Sequence, residues 1–113
     1  MNVPFTLDNE NGSDLMATVQ KYTNGDNVGM ISLHSCGDLT PAMLNTFAQS
    51  THTGLKFLCA FSCCYHSMNR EEVDGKQTFA NFPMSACLKQ VLSQHANFQL
   101  SIFGLRLACQ QDM

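Results

Sequence analysis

Two stretches of the chain are apolar without alternation: Val28-Gly29-Met30-Ile31-Ser32-Leu33 and Leu55-Lys56-Phe57-Leu58-Cys59-Ala60-Phe61-Ser62. Side chains of a strand point to both faces in turn, so such runs predict strands over 28–34 and 55–62, buried on both sides in a parallel sheet. Between them, Met43, Leu44, Phe47 and Ala48 fall on one helical face, and Thr40-Pro41 offers an N-cap and a first helical position. Ser50 to Gly54 reads as a loop. Strand, short helix, strand predicts a right-handed parallel βαβ unit. Ahead of it, Leu15, Met16, Val19 and Tyr22 predict a helix over 14–22, with Ser13 as its cap, Asp14 favourable to its dipole and Gly25 as its stop. Residues 3–7 predict an edge strand, because Pro4 removes one donor. Residues 67–82 read as a long polar loop. Met84, Cys87, Leu88 and Val91 share a face and predict a helix over 84–95. In the tail, Phe98, Leu100 and Ile102 alternate as a strand does, whereas Leu105, Leu107, Ala108 and Cys109 suit a terminal helix. The fold class is therefore α/β, a parallel βαβ core with flanking helices.

Composition sharpens this picture. The chain has 113 residues, of which 44% are hydrophobic and 13% charged. The charged share is about half the usual one. A chain with so little to cover its surface suggests a partner surface, or one part of a larger sheet. The net charge of -3 and the scattered Arg70, Arg106 and lysines form no basic stripe, which argues against nucleic-acid binding by this chain alone. Met1-Asn2-Val3-Pro4 does not begin a signal peptide, and no apolar run approaches the roughly 18 residues that span a membrane. Of six cysteines, Cys63 and Cys64 are adjacent, a poor disulfide arrangement. A reduced, intracellular chain, cytoplasmic or nuclear, is expected.

The reactive side chains collect where the two predicted strands end. His34, Cys36 and Asp38 follow the first, and Cys63, Cys64, Tyr65 and His66 follow the second. In a parallel unit both groups lie on the carboxyl edge, where open α/β sheets bind ligands. Neighbouring strands are about 5 Å apart, within reach of one ligand. Three readings remain open. His34, Cys36, Cys63, Cys64 and His66 are zinc-type ligands, though no C-x-x-C pair is present. Cys36 could be a nucleophile served by His34 and Asp38. Or the cysteines are simply small buried apolar residues, and Asp38 caps the following helix. The glycines at 12, 25, 29, 37, 54, 75 and 104 form no G-x-G-x-x-G and no phosphate loop, and no Gly-x-Ser-x-Gly is present.

Gly29 to Leu39, then Ser62-Cys63-Cys64-Tyr65-His66, then Asn81-Phe82-Pro83-Met84-Ser85 and Leu107-Ala108-Cys109-Gln110, resemble in order and spacing the methyltransferase-like protein 25 family and its ribosomal RNA adenine dimethylase domain-containing relatives. The first two motifs are specific, the last two weak alone, and together they cover roughly residues 28–110. The resemblance implies a Rossmann-like methyltransferase domain using S-adenosylmethionine. Strand 28–34 would be its fourth strand, 55–62 its fifth, and helix 14–22 would follow the third. Residues 1–113 would then be the carboxyl-terminal half, a partial Rossmann-like sheet. The glycine-rich cofactor loop and the acidic residue for the ribose would lie before Met1, so weak or no cofactor binding is expected, and no activity of the chain alone. The resemblance assigns His34, Cys36 and Tyr65 to positioning the methyl acceptor, and Asp38 or His66 to taking its proton. The acceptor in the full-length family would be RNA or protein. His-Ser-Cys-Gly-Asp is not the Asn/Asp-Pro-Pro-Tyr of amino-directed enzymes, so adenine N6 chemistry is not supported. The alternative from another class is a non-catalytic interaction or regulatory module, with a zinc-binding domain as a minor one. A fourth strand lacking its neighbour would expose an apolar edge, and self-association through strand 28–34 is expected.

Overall fold

The computed structural model describes residues 2–109. The chain divides into two compact units. The first comprises residues 1–35 and 39–62, the second residues 36–38 and 63–113. The architecture is mixed α/β, with a parallel two-stranded sheet and flanking helices, as the apolar pattern predicts. No helix among the described residues is long and apolar enough to cross a membrane.

The first unit opens with α1 (Gly12–Thr23). Ser13 lies inside this helix and Asn11 stands at the cap without a side-chain bond to it. The reason is local. Asp8 Oδ1 accepts the N–H groups of Glu10 and Asn11, at 2.8 and 2.9 Å, so an Asx turn delivers the chain two residues early. Residues 3–7 form no strand, contrary to expectation. α1 ends on Asn24 and Gly25, both at positive φ, as a glycine stop should. β1 (Val28–Cys36) follows, then α2 (Leu39–Gln49) and β2 (Leu55–Cys63), with β1 beside β2. α1 packs on α2, and Gly12 makes that approach possible, since a Cβ there would strike the Thr46 side chain. α2 is tied to the strands by Ser35 Oγ, fully buried, which bonds Met43 Sδ at 3.6 Å. Thr40, expected as the cap of α2, is already inside the helix. Its hydroxyl donates to Ser35 O at 3.3 Å and meets Ser62 Oγ at 3.0 Å. One sheet face is half-covered at Met30, Ser32, Leu58 and Ala60. The other is bare within this unit: Ile31 is 64% exposed, Leu33 77% and Phe61 61%.

The second unit holds a hairpin and two short helices. The stretch expected as a polar loop contains β3 (Arg70–Val73) and β4 (Lys76–Phe79), antiparallel, with Val73 opposite Lys76. Its turn, Asp74-Gly75, has both residues at positive φ, which a two-residue type I′ connection requires. α3 (Ala86–Ser93) is shorter than the 84–95 expected. Ser85 ends the extended approach and caps it, its Oγ accepting the Leu88 N–H at 3.1 Å. The tail resolves in favour of a helix, α4 (Ile102–Ala108), capped by Ser101. The strand reading of residues 98–102 does not hold. α4 packs against a single 3₁₀ turn, Tyr65–Ser67. Gln110, the end of the last motif, lies outside the described residues.

Candidate functional site

Residues 36–38, which leave β1, and residues 63–67, which leave β2, belong to one unit and touch. The Gly37 N–H donates to Cys63 O at 3.1 Å. Gly37 adopts φ +53, and a Cβ there would sit 3.0 Å from the Ser67 carbonyl oxygen. Only glycine satisfies both the left-handed backbone and this approach. The two strand ends predicted to meet therefore do so, and Gly37 is the residue that lets them.

Asp38 is held from two sides. Its Oδ2 accepts the Asn69 N–H at 2.6 Å, and its Oδ1 accepts from the Asn81 amide at 2.9 Å. These bonds replace the cap of α2 that the sequence offered for it. They fasten the turn at 36–38 to both flanks of the β3–β4 hairpin, since Asn69 precedes β3 and Asn81 follows β4. Tyr65 and His66 lie on the 3₁₀ turn. The backbone N–H of Tyr65 donates to Cys109 Sγ at 3.1 Å, joining that turn to the end of α4. His66 Nδ1 is buried and meets no hydrogen-bond partner among the described residues. His34 belongs to the first unit, exposed near the carboxyl end of β1.

The thiols dominate the electrostatics. Cys36 Sγ and Cys63 Sγ lie 3.0 Å apart. The hydrogen bond with Cys36, then burial, then the bond with Cys64, push the Cys63 thiol up to about 12. Cys64 is also raised, chiefly by Cys36, against an opposing effect of Cys63. Cys63 and Cys64 therefore hold their protons and are poor nucleophiles.

Sequence reasoning brought Cys36, Asp38, Tyr65 and His66 to one place, and the second unit contains all four. It missed Asn69, Asn81 and Cys109 as working partners. Asn69 acts through its backbone, which no side-chain pattern reveals. Asn81 was visible only as a member of a weaker motif, and Cys109 as a member of another and of the terminal helix pattern.

In the first unit, a cavity of about 290 Å³ lies between the start of α1 and the end of α2. Asn9, Glu10, Gln20, Asn45, Gln49 and His52 are among its lining residues. His52 Nδ1 accepts the Gly54 N–H at 2.8 Å, and His52 Nε2 is buried with no partner among the described residues. This cavity is at the end where β2 begins, away from the carboxyl edge.

Comparison with known proteins places the chain. The family model described as "Methyltransferase domain" matches residues 5–71. "Probable methyltransferase-like protein 25" of Mus musculus is 39% identical over 66 residues, 54% of this chain and 11% of that protein. The protein of the same name from Homo sapiens is 35% identical over 65 residues, 54% of this chain and 10% of its own length. The match thus spans about a tenth of these relatives. No solved structure matches the chain. With more than half of its length matched by the family model, the chain belongs to the methyltransferase domain family.

Proposed function

We propose that this chain is the acceptor-side half of an S-adenosylmethionine-dependent methyltransferase-like domain, its β1 and β2 standing as the fourth and fifth strands. The single observation that carries the reading is the family match over residues 5–71, which contains both strand ends. The meeting of residues 36–38 with 63–67 supports it, because a methyl acceptor needs a fixed edge to be held against.

The residues present do not by themselves make a cofactor site. A sulfonium nucleoside needs a close backbone approach for its amino-acid end and an acidic partner for its ribose. None of the seven glycines falls in a G-x-G-x-x-G, and the cavity of the first unit lies at the opposite end of β2. For the proton of the acceptor, Asp38 and His66 are the candidates. Both carboxylate oxygens of Asp38 already accept hydrogen bonds, whereas His66 Nδ1 has no partner among the described residues. Cys36 and Tyr65, in the same unit, contact the acceptor. RNA or protein is the acceptor class the family suggests.

A domain exchange tests this. Residues 5–71 replace the matching stretch of the mouse relative, and S-adenosylmethionine binding is followed by calorimetry. Retained binding by the hybrid, with none at micromolar concentration for the 113-residue chain, is the expected result. Micromolar binding by the chain alone would overturn the half-domain reading. A second reading, a non-catalytic interaction module, is favoured by the bare apolar face of β1 and β2, with Leu33 77% exposed.

A further inference from the structure

We propose that Cys36 and Cys63 are a reversible oxidation site, joined as a disulfide by a small-molecule disulfide of the oxidised-glutathione class. Each is the last residue of its strand, Cys36 of β1 and Cys63 of β2, and the two strands are neighbours in the sheet. They are 27 positions apart in sequence, yet their sulfurs lie 3.0 Å from one another. Both belong to the second unit. A disulfide requires Cα atoms about 4.4–6.8 Å apart and sulfurs at about 2.05 Å. Neighbouring strands run about 4.8 Å apart, inside that window. The Gly37 N–H, bonded to Cys63 O at 3.1 Å, holds the two backbones together at this point. The sulfurs therefore need to close by about 1 Å, a movement that side-chain rotation supplies without parting the strands.

No other pairing is prepared in the same way. Cys63 and Cys64 are adjacent in sequence, and Cys109 Sγ accepts the Tyr65 N–H at 3.1 Å. Cys59 lies exposed within β2 and Cys87 exposed on α3.

The exchange proceeds in two displacements. Cys36, the exposed member of the pair, gives up its proton and attacks one sulfur of the glutathione disulfide. A Cys36–glutathione bond forms and one glutathione thiolate leaves. Cys63 then loses its proton to solvent and attacks Cys36 Sγ, and the second glutathione leaves. The protein pair gives up two electrons, and one glutathione disulfide becomes two thiols. The hydrogen bond with Cys36 is the largest cause that keeps Cys63 protonated, and it weakens once Cys36 Sγ carries glutathione. The first displacement thus prepares the second. On the reading given above, Cys36 also contacts the methyl acceptor, and the disulfide withdraws it. That consequence rests on the methyltransferase reading, whereas the oxidation site stands on the thiol geometry.

The test exposes the whole reduced chain to oxidised glutathione, alkylates the remaining thiols and digests without reductant. Trypsin leaves Cys36 as the one cysteine of peptide 22–56, and Cys59, Cys63 and Cys64 in peptide 57–70. The expected result is a link between these two peptides, placed on Cys63 by fragmentation and lost on adding dithiothreitol. Cys59 and Cys87 should be recovered alkylated. Cys63→Ser should halt the reaction at the glutathione adduct of Cys36, whereas Cys64→Ser should leave the link in place. Because a serine variant can fail to fold, the map of the unaltered chain decides. Cys36 recovered alkylated, glutathione persisting on Cys36, or a link from Cys36 to Cys59 or Cys64 would each overturn the proposal. Micromolar cofactor binding by the chain alone would remove the consequence for the acceptor and leave this thiol map unchanged.

Discussion

Asp38 shows how much one carboxylate can organise. It joins the turn after β1 to the backbone of Asn69 and the side chain of Asn81, 31 and 43 positions away in sequence. Charge-assisted bonds of this sort contribute about 1.5–3 kcal/mol each when well shielded, and less here because the Asn69 bond is exposed. Asp38→Ala should therefore destabilise the chain by about 1–3 kcal/mol in urea denaturation, and Asp38→Asn by less, since its amide oxygen still accepts one bond. A second prediction concerns Cys63. Its thiol is pushed up to about 12, so the folded state keeps a proton that the unfolded state begins to lose near pH 9. The stability it contributes is complete below that pH and is lost as pH rises toward 12. Iodoacetamide at pH 8.5 should accordingly label the exposed Cys87 well before Cys63, and equal rates would contradict the hydrogen-bonded thiol pair. At this scale the sequence was legible where chemistry and position coincide, as in His34 to Asp38. It was silent where a backbone group does the work, as at Asn69.

The elements divide by how they are buried. β1 and β2 could be read because their apolar runs are long and unbroken, and α1 and α2 because Leu15, Met16 and Val19, or Met43 and Phe47, keep helical spacing. β3 could not be read that way. Arg70, Glu71, Glu72 and Val73 are all exposed, so no buried face imposes an alternation. Its one signal was Asp74-Gly75, the dipeptide that a two-residue hairpin demands. The α3 boundary was set by Ser85, a residue that stood out only as part of a motif. Ser85→Ala removes the Leu88 cap and should cost about 1 kcal/mol, measured as a lower urea midpoint with an unchanged slope. Ser85→Asp should restore most of it, because aspartate caps equally well and complements the helix dipole.

For the molecule as a whole, the apolar face left bare on β1 and β2 is the dominant surface feature. Phe57 at 49% exposure joins Ile31, Leu33 and Phe61 there. Contiguous apolar surface of this kind rarely stays in water, and a low charge does little to keep copies apart. The chain alone should sediment as dimers or larger species at tens of micromolar. Leu33→Lys with Phe61→Lys should return it to a monomer. A wild-type chain that stays monomeric throughout would show that this face tolerates water. The low charged fraction made such a surface foreseeable, but which side of the strands would be bare was not, because both faces of each run carry apolar residues.

The second unit is discontinuous: it draws residues 36–38 from the middle of the first. A gene break or protease cut at the junction near residue 62 would look harmless in a linear map. It would nonetheless strip the later segment of Gly37, Asp38 and Cys36 together, taking away both carboxylate anchors and one sulfur. A cut after residue 62 is therefore a cut through the second unit, because residues 36–38 lie ahead of it.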